Sequence, residues 1–454
     1  MIEMTAKEAA QAVGGVLTGN GDTVITDIQY DSRAVKDGTL FVAVKGEKVD
    51  GHKFIEDCFA KGAAAVFTEN HVPENSTGCY ITVENSRLAL QKLAAYYRSR
   101  QNVKLIGITG SVGKTSTKEM VAAGLSQGFD VMKTQGNRNS QIGLPVTMFG
   151  IEKHNEIAVI EMGMSEFGEM DRLADVARPN MAVMTNIGVA HIENLRTQEN
   201  ILKEKFRITK YFDKDGVLFL NGDDRLLRTL HGKQAFKTVT FGLNKDNDCY
   251  AENIVNEGFN TRFVCCLGEK KAELNIPALG EHNVRNALAA YAVGKYLGLD
   301  EKTIQAGLMT YQNAPMRQQI HEMKDFILID DSYNSSPDAA RVSLDVLKSV
   351  SKGKAIAVLA DMLELGEKSA SEHYGVGKHL AEIGVNTLIA VGELSKNTAK
   401  GAEENGCKEV VTFENNTQAY EYLSKIIEKD CAVLVKGSRG MHTDEIVKKV
   451  LSDF

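Results

Sequence analysis

The residues whose chemistry is easiest to interpret form a glycine-rich turn that ends in Lys114 and Thr115. Residues 107–116 read GITGSVGKTS and follow a short apolar run. Glycines let backbone N–H groups close around an anion, and a helix that starts there adds its positive dipole. Lys114 is expected to reach the terminal phosphates of a nucleotide, and Thr115 to offer its hydroxyl to Mg²⁺. The rest of the predicted nucleotide cradle is Gly110, Ser111, Gly113 and Ser116.

The spacing of this turn narrows the nucleotide class. A standard phosphate loop has its first glycine where this chain has Ile108, so the pattern here is a shorter variant. Its glycines are each three residues apart, which is not the dinucleotide fingerprint. The guanine-binding pattern Asn-Lys-x-Asp is not matched, since residues 244–247 read NKDN. ATP is therefore the expected nucleotide; the alternative, a plain glycine turn, does not explain the Lys-Thr pair.

Two further polar residues follow apolar runs. Glu161 closes the run 157–160, and His191 ends the segment TNIGVAH at 185–191. The carboxyl ends of parallel strands face the ligand crevice, so Glu161 is predicted to hold Mg²⁺; the alternative is a capping or solvated carboxylate. A lone histidine is more often structural than a metal ligand, so position alone does not decide which of these roles His191 has.

Composition limits the classes of protein that fit. The 454 residues predict two to four domains, and 43% hydrophobic content is enough for buried cores. The net charge of −7 argues against a general nucleic-acid binder. No apolar run reaches the roughly 20 residues that cross a bilayer, and the first residues read as an amphipathic helix capped by Thr5 rather than as a signal peptide. Seven scattered cysteines predict reduced thiols in a cytoplasmic protein, with neither disulfide nor zinc site.

Three units are predicted along the chain, over residues 1–82, 83–310 and 311–454. The first mixes short strands and polar turns and has a candidate binding edge near the strand 40–44. Strand–helix alternation predicts a mostly parallel sheet with helices on both faces for the second unit, and a smaller nucleotide-fold-like domain for the third. Residues 236–277 look β-rich, and Ser86 is expected to cap a helix that runs to Arg100. The other predicted elements are a helix at 283–297 and strands at 105–109, 157–161, 181–186, 217–221, 326–330, 355–360, 387–391, 409–413 and 432–436.

More motifs appear in a fixed order along the chain. The phosphate loop comes first, followed by Glu161 and His191. Three further motifs come after them: HNVRNA at 282–287, Arg317, and DDSYN at 330–334. This ordered set resembles the Mur ligases of peptidoglycan synthesis, which form amide bonds with ATP. The resemblance covers essentially the whole chain. It implies an α/β fold of three domains: one for the UDP end of the substrate, a central parallel-sheet ATPase and a C-terminal Rossmann-like domain.

The resemblance also implies roles in catalysis and cofactor binding. Lys114, Lys205 and Arg317 would serve catalysis, with Arg317 at the terminal phosphate. Two Mg²⁺ ions would be held by Thr115, Glu161, His191 and Lys205, the last as a carbamate formed with CO₂. Composition alone would make Lys205 a solvated helix lysine. Asn283 and Asn286 would contact adenine and Asp331 the ribose or ATP, although Asn283 could instead cap a helix.

Within the family, one activity is favoured. The segments at 134–145, 161–164, 190–193 and 361–366 resemble the member that joins D-alanyl-D-alanine to UDP-N-acetylmuramoyl-tripeptide. Gln135, Asn137 and Asn139 would then contact substrate, while Ser140 stands where a second asparagine is common. Ser32, Arg33 and Lys45 would bind the UDP end; the alternative there is a surface turn.

Several alternatives remain at this point. The ligase that adds the third amino acid shares the Asp-Ser-Arg segment near residue 31, but its Asp-His-Leu-Asp and Asp-Asn-Pro-Arg motifs are missing here. A non-catalytic nucleotide-gated scaffold should have lost part of the catalytic set, which is present. A folylpolyglutamate synthetase type of enzyme would lack the N-terminal domain. The leading hypothesis is a cytoplasmic monomer that acts on small molecules through an acyl phosphate, with its C-terminal domain closing about a segment near residue 311.

Overall fold

The computed structural model describes residues 3–46 and 49–454. The N-terminal part has a five-stranded sheet in the order β2-β7-β6-β5-β4, parallel except for β2, and a separate β1–β3 pair. The Thr5 side chain accepts from the Glu8 N–H, which confirms the predicted N-cap. The elements are β1 (Met4–Thr5), α1 (Ala6–Val13), β2 (Val16–Thr18), β3 (Val24–Ile25), β4 (Asp27–Gln29), β5 (Thr39–Val42), α2 (Ile55–Ala60), β6 (Ala65–Thr68) and β7 (Tyr80–Thr82).

The central part is built on a nine-stranded sheet in the order β16-β15-β14-β13-β12-β11-β8-β10-β9. Strands β8 to β14 run parallel. The predicted β-rich segment supplies β13 and β14 to this parallel part and adds β15 and β16 as an antiparallel edge. Its elements are α3 (Ser86–Ser99), β8 (Lys104–Thr109), α4 (Lys114–Leu125), β9 (Val131–Lys133), α5 (Gly143–Met148), β10 (Ile157–Glu161), α6 (Glu169–Ala177), β11 (Met181–Met184), α7 (Ile192–Leu195), α8 (Gln198–Phe206), β12 (Val217–Asn221), α9 (Arg225–Arg228), β13 (Lys237–Gly242), β14 (Cys249–Glu257), β15 (Asn260–Leu267), β16 (Lys270–Ile276), α10 (Glu281–Tyr296) and α11 (Glu301–Leu308).

Both faces of this sheet are buried, which explains why its strands read as continuous apolar runs. Successive side chains point to opposite faces, so Leu105 packs in one core and Ile106 in the other. The Leu105 core also takes in Leu90 of α3 and Ile81 of the N-terminal sheet, while Leu288 of α10 packs in the second core. Helix α3 therefore joins the N-terminal and central parts through shared apolar packing.

The start of α3 differs from the prediction. Asn85, not Ser86, is its N-cap, and the Asn85 side chain accepts from the Leu88 N–H at 2.9 Å. Ser86 is the first helical residue and is fully buried. Two capping residue types stand side by side here, and the sequence rule could not choose between them.

The C-terminal part has a six-stranded sheet in the order β17-β18-β22-β19-β20-β21, parallel except for β17. The predicted strands are confirmed, except that β18 is shifted by one residue and covers 327–331 instead of 326–330. The elements are β17 (Gln319–Glu322), β18 (Ile327–Asp331), α12 (Pro337–Val350), β19 (Ala355–Ala360), α13 (Ser369–Glu382), β20 (Thr387–Val391), α14 (Lys396–Glu404), β21 (Glu409–Phe413), α15 (Asn416–Ile426), β22 (Ala432–Lys436) and α16 (Asp444–Asp453). Within the described ranges, no helix is both long and apolar enough to cross a membrane.

Candidate active site

A cavity of about 1010 Å³ lies between the carboxyl ends of the central strands and the C-terminal domain. Most of the predicted site residues line it: Ser111, Gly113, Lys114, Thr115, Ser116, Asn137, Asn139, Glu161, His191, Asn283, Asn286, Arg317 and Asp331. Gly110, Gln135 and Lys205 are not among the lining residues, and neither are Ser32, Arg33 and Lys45 of the N-terminal domain. The structure thus brings most of the predicted nucleotide and metal residues together at one place.

The phosphate loop is held from behind by the turn after β11. The Ser111 and Val112 N–H groups donate to the Asn186 backbone oxygen and Oδ1 at 3.0 and 2.9 Å. Thr185 Oγ1 donates back to the Val112 oxygen at 2.6 Å. Gly110 lies so close to this turn that a Cβ there would overlap Thr185 Oγ1. The loop conformation therefore depends on glycine at 110 and on its neighbour strand.

The Lys114 ammonium group lies against the loop that it follows. Its Nζ donates to the Gly110 and Ser111 carbonyl oxygens at 2.8 and 3.2 Å. An ammonium group has three N–H donors, so one is left for a phosphate oxygen. Burial lowers the pKa of Lys114, with Glu161 acting in the opposite direction and Arg317 in the same direction.

Oxygen ligands for Mg²⁺ meet at the end of β10. Glu161 is 1% exposed, and its Oε2 accepts from Thr115 Oγ1 at 2.9 Å. Its Oε1 accepts from Asn139 Nδ2 at 2.6 Å. A carboxylate and a hydroxyl are ligands that Mg²⁺ prefers, so the pair fits the predicted metal role.

His191 lies at the start of α7 with its backbone in the left-handed region (φ +62°). Burial lowers the pKa of its imidazole to about 4, and the positive charges of Lys114 and Lys205 act in the same direction. The neutral imidazole that results is the form that binds metals. Among the described residues, no group of three or more His, Cys, Asp or Glu side chains could hold a metal on its own.

Lys205 differs most from what composition alone would have made of it. It is completely buried in α8, and its Nζ has no hydrogen-bond partner. Burial lowers its pKa well below the usual lysine value. A solvated helix lysine is therefore wrong for this position. A buried, unpartnered amine that is easily neutralised has the properties that carbamate formation needs.

The two asparagines of α10 form a buried polar chain beside the loop. Thr117 Oγ1 donates to Asn286 Oδ1 at 2.7 Å, and Asn286 Nδ2 donates to Asn283 Oδ1 at 3.3 Å. Asn283 Nδ2 donates to the Leu279 oxygen. The N-cap of α10 is Gly280, so the capping alternative for Asn283 is wrong.

The C-terminal wall contains Arg317 and Asp331. The Arg317 guanidinium stacks 4.1 Å from the centre of the Tyr333 ring. The Asp331 carboxylate accepts from the Gln318 N–H, from Ser343 and from the buried Lys436 Nζ, the last at 2.6 Å. Its oxygens already have partners within the protein. Sequence reasoning missed Lys436. It lies at the carboxyl end of β22, and the rule that such strand ends face the ligand crevice, which pointed to Glu161, applies to it as well.

Sequence reasoning also missed Lys118, one helical turn after Lys114. Lys118 is fully buried, and its Nζ donates to the Thr134 and Gly136 carbonyl oxygens at 2.7 and 3.2 Å. Glu119 pairs with it at 2.8 Å. The loop that carries Gln135, Asn137 and Asn139 is thus fixed to the helix of the phosphate loop.

The predicted UDP residues lie on the N-terminal domain. The Arg33 side chain is 88% exposed and pairs with Asp31 at 2.7 Å. The Ser32 carbonyl accepts from Lys61 Nζ, and Lys45 bridges Asp50 through the backbone. The assignment of these three residues to the UDP end stays a prediction.

Three family models match this chain. They are the Mur ligase middle domain over residues 108–294, the glutamate ligase domain of Mur ligases over 316–439, and the catalytic domain of the Mur ligase family over 24–98. Together they span the N-terminal, central and C-terminal parts described above.

Known full-length proteins are similar too. The UDP-N-acetylmuramoyl-tripeptide–D-alanyl-D-alanine ligase of Bacillus subtilis is 36% identical over 99% of this chain and 99% of its own. A crystal structure of MurF from Acinetobacter baumannii is 30% identical with a TM-score of 0.92 and full coverage of both chains. MurF from Thermotoga maritima in complex with ADP is 28% identical, with a TM-score of 0.83 over 93% of this chain and 96% of that one.

Proposed function

The chain belongs to the Mur ligase family, and we propose that it joins D-alanyl-D-alanine to UDP-N-acetylmuramoyl-tripeptide with ATP as the energy source. The observation that carries this proposal is the full-length similarity to ligases of that name. The cavity supports it because it gathers the phosphate loop, the Thr115–Glu161 pair and Arg317 of the C-terminal domain.

A carboxylate must be activated before an amine can attack it. In the proposed reaction, an oxygen of the tripeptide carboxylate attacks the γ-phosphorus of ATP, the bond to ADP breaks, and an acyl phosphate forms. The amine of D-alanyl-D-alanine then attacks the acyl carbon and loses a proton, and inorganic phosphate leaves. Lys114 and Arg317 stabilise the negative charge that develops on the transferred phosphoryl group.

The residues around Glu161 fit two Mg²⁺ ions. Thr115, Glu161, His191 and a carbamate on Lys205 would hold them; the orphaned amine of Lys205 is the observation that fits this set. When bound, Mg²⁺ offsets phosphate charge. The carbamate would turn a cationic side chain into an anionic oxygen ligand, which a buried metal site needs.

The remaining assignments belong to this proposal as well. Gly110, Ser111, Gly113 and Ser116 would cradle phosphates, and Asn283 and Asn286 would face adenine. Asp331 would act near the ribose mainly by fixing Lys436 and the Gln318 backbone. Gln135, Asn137 and Asn139 would contact the peptide end, and Ser32, Arg33 and Lys45 the UDP end. We also propose that the protein is a cytoplasmic monomer. It would act on small molecules and bind no nucleic acid.

The test is phosphate release from ATP and Mg²⁺ by the purified chain. Reactions contain UDP-N-acetylmuramoyl-tripeptide with or without D-alanyl-D-alanine, or the UDP-linked dipeptide with lysine or diaminopimelate. Release that needs tripeptide and D-alanyl-D-alanine together is the expected result. Release only with the UDP-linked dipeptide would assign the chain to the preceding step, and ATP binding without release in any mixture would favour a scaffold.

A further inference from the structure

The acceptor dipeptide carries a charge that the proposed reaction does not consume. Once its amine has lost a proton to become nucleophilic, D-alanyl-D-alanine keeps one charged group, the C-terminal carboxylate. A site that orients the amine toward the acyl carbon needs a cation for that carboxylate, and a guanidinium is well suited because it can bond both oxygens.

Most cations that line the cavity already have partners. Lys114 bonds the phosphate loop, Arg285 pairs with Asp223 at 3.0 Å, and Lys436 is buried against Asp331. Arg317 is the proposed phosphate contact. Of the two lining histidines, His191 is a proposed metal ligand, and burial lowers the pKa of His282 to about 4.

Arg439 is different. Its side chain is 52% exposed and lines the cavity from the loop after β22. Its protein contacts are long: Nη1 lies 3.4 Å from Asp444 Oδ1 and 3.6 Å from Met316 Sδ. Asp444 already accepts from Lys448 at 2.7 Å, and that hydrogen bond is the main reason why the pKa of Asp444 is lowered. The Arg439 guanidinium therefore keeps most of its donors for another anion.

The position of Arg439 suits the length of a dipeptide. The centre of the Tyr333 ring lies 4.1 Å from the Arg317 Cζ and 6.0 Å from the Arg439 Cζ, so the two guanidinium groups are at most about 10 Å apart. An extended dipeptide spans about 7 Å. A dipeptide whose amine faces the carboxyl phosphorylated near Arg317 can thus place its carboxylate at Arg439.

The loop that carries Arg439 is held in place before any substrate binds. The Ser438 N–H donates to the Asp361 oxygen at 3.1 Å, and the Leu363 N–H donates to Ser438 Oγ at 2.9 Å. Leu363 lies close to Gly440, is 41% exposed and is one of the residues that line the cavity. An apolar side chain thus lies on the same part of the cavity wall as Arg439 and could pack against the methyl groups of the dipeptide.

We propose that Arg439 binds the C-terminal carboxylate of the acceptor dipeptide and so selects a free-acid acceptor. This inference rests on the proposed function, since it assigns one end of the acceptor used in that reaction. Arg439 acts in the second step only, because the acyl phosphate forms before the acceptor is used.

The experiment compares D-alanyl-D-alanine with D-alanyl-D-alaninamide, which has the same shape without the negative charge. The intact chain should use the amide about 10 to 100-fold less efficiently, as expected for loss of a charge-assisted pair. Arg439→Gln should lose a similar factor in kcat/KM for the acid, mostly through KM, and should no longer distinguish acid from amide. Arg439→Lys should recover part of the preference for the acid over the amide.

Two controls separate this inference from its premise. Arg262→Gln removes an arginine on β15 whose side chain is also 52% exposed, and should leave both acceptors unaffected. Hydroxylamine trapping of the acyl phosphate without acceptor should give equal yields for Arg439→Gln and the unaltered chain. The assignment would be overturned if Arg439→Gln had the same ratio of kcat/KM for the acid to kcat/KM for the amide as the unaltered chain. It would also be overturned if Arg439→Gln gave no trapped acyl phosphate. If that variant does not fold, equal use of acid and amide by the unaltered chain would overturn it as well. Absence of any acceptor-dependent turnover by the unaltered chain would instead remove the proposed function and this inference with it.

Discussion

The imidazole of His191 and the carboxylate of Glu364 meet with 3.2 Å between Nδ1 and Oε2. His191 belongs to the central domain and Glu364 to the C-terminal domain, so this contact joins the two across the cavity. Both residues have positive φ angles, +62° and +65°, which residues other than glycine rarely adopt. Each of the two residues thus has an uncommon backbone conformation at this contact.

Removing this contact should weaken domain closure. We expect Glu364→Ala to lower kcat/KM about 3 to 10-fold, a modest effect because the Glu364 side chain is 69% exposed. Small-angle scattering with a non-hydrolysable ATP analogue should give a larger radius of gyration for Glu364→Ala, with Glu364→Gln in between. Glu367→Ala, on the same exposed segment, is the control. Identical behaviour of the two alanine variants would show that the contact does not support closure.

The buried amine of Lys205 leads to a chemical prediction. Lys205→Ala should lose activity by at least about 100-fold, because the site loses an anionic ligand that no neighbour replaces. Acetate or propionate, which can supply that carboxylate, should restore part of the activity. Incubation of the unaltered chain with ¹³C-labelled bicarbonate should give a carbamate carbon signal that Lys205→Ala lacks. Lys203→Ala, exposed on the same helix, should keep both activity and signal.

Lys118 should act on substrate binding through the loop that it holds. Lys118→Met leaves the Thr134 and Gly136 carbonyl oxygens without their buried donor, a cost of about 1 to 3 kcal/mol. We expect the KM for the UDP-linked tripeptide to rise about tenfold or more, with a smaller change in the KM for ATP. Lys133→Met is the matched control, since Lys133 also pairs with Glu119 but is 39% exposed. Equal effects on both KM values would contradict a role in loop positioning.

The C-terminal domain should lose stability in acid through Glu409. Hydrogen bonds from Tyr422, Lys354 and Thr387 lower the pKa of Glu409 to about 2. Because the folded pKa lies below the unfolded value of about 4.3, the stabilisation is complete above that value and is lost as the pH falls toward 2. Glu409→Gln should therefore unfold at a lower temperature than the unaltered chain at pH 7, by the equivalent of about 0.5 to 1 kcal/mol. The difference should shrink between pH 4.3 and pH 2. A difference that stays constant over this range, as we expect for the exposed Glu421→Gln, would argue against the ion pair.

The sheets were largely predictable, because buried parallel strands read as unbroken apolar runs and end at turn residues. The strands at 157–161, 217–221 and 432–436 have the bounds that the sequence predicts. The strand expected at 181–186 instead ends at Met184, because Thr185 and Asn186 leave the sheet to bond the Val112 backbone. A hydrogen bond to a loop more than seventy residues away leaves no signal in local sequence.

Residues of the candidate site were predictable where they belong to a local sequence motif. They were not predictable where tertiary packing alone brings them to the site. Lys114, Thr115 and Glu161 follow from the turn and the strand end. The burial of Lys118 and Lys205 does not, because lysines on helices are normally solvated and only tertiary packing buries them here. The contacts of Glu364 and Arg439 depend on how the C-terminal domain meets the cavity, and no spacing along the chain encodes that.

The hydrogen bonds of Ser438 to Asp361 and Leu363 tie two loops of the C-terminal domain together. One loop brings Glu364 to His191, and the other brings Arg439 to the proposed acceptor. If the C-terminal domain closes over the nucleotide as we expect, the place for the acceptor would be complete only after that closure. We therefore expect an order of addition in which ATP and the UDP-linked peptide enter first and the dipeptide last. An acyl phosphate made before the dipeptide arrives would then be sheltered from hydrolysis by the same movement.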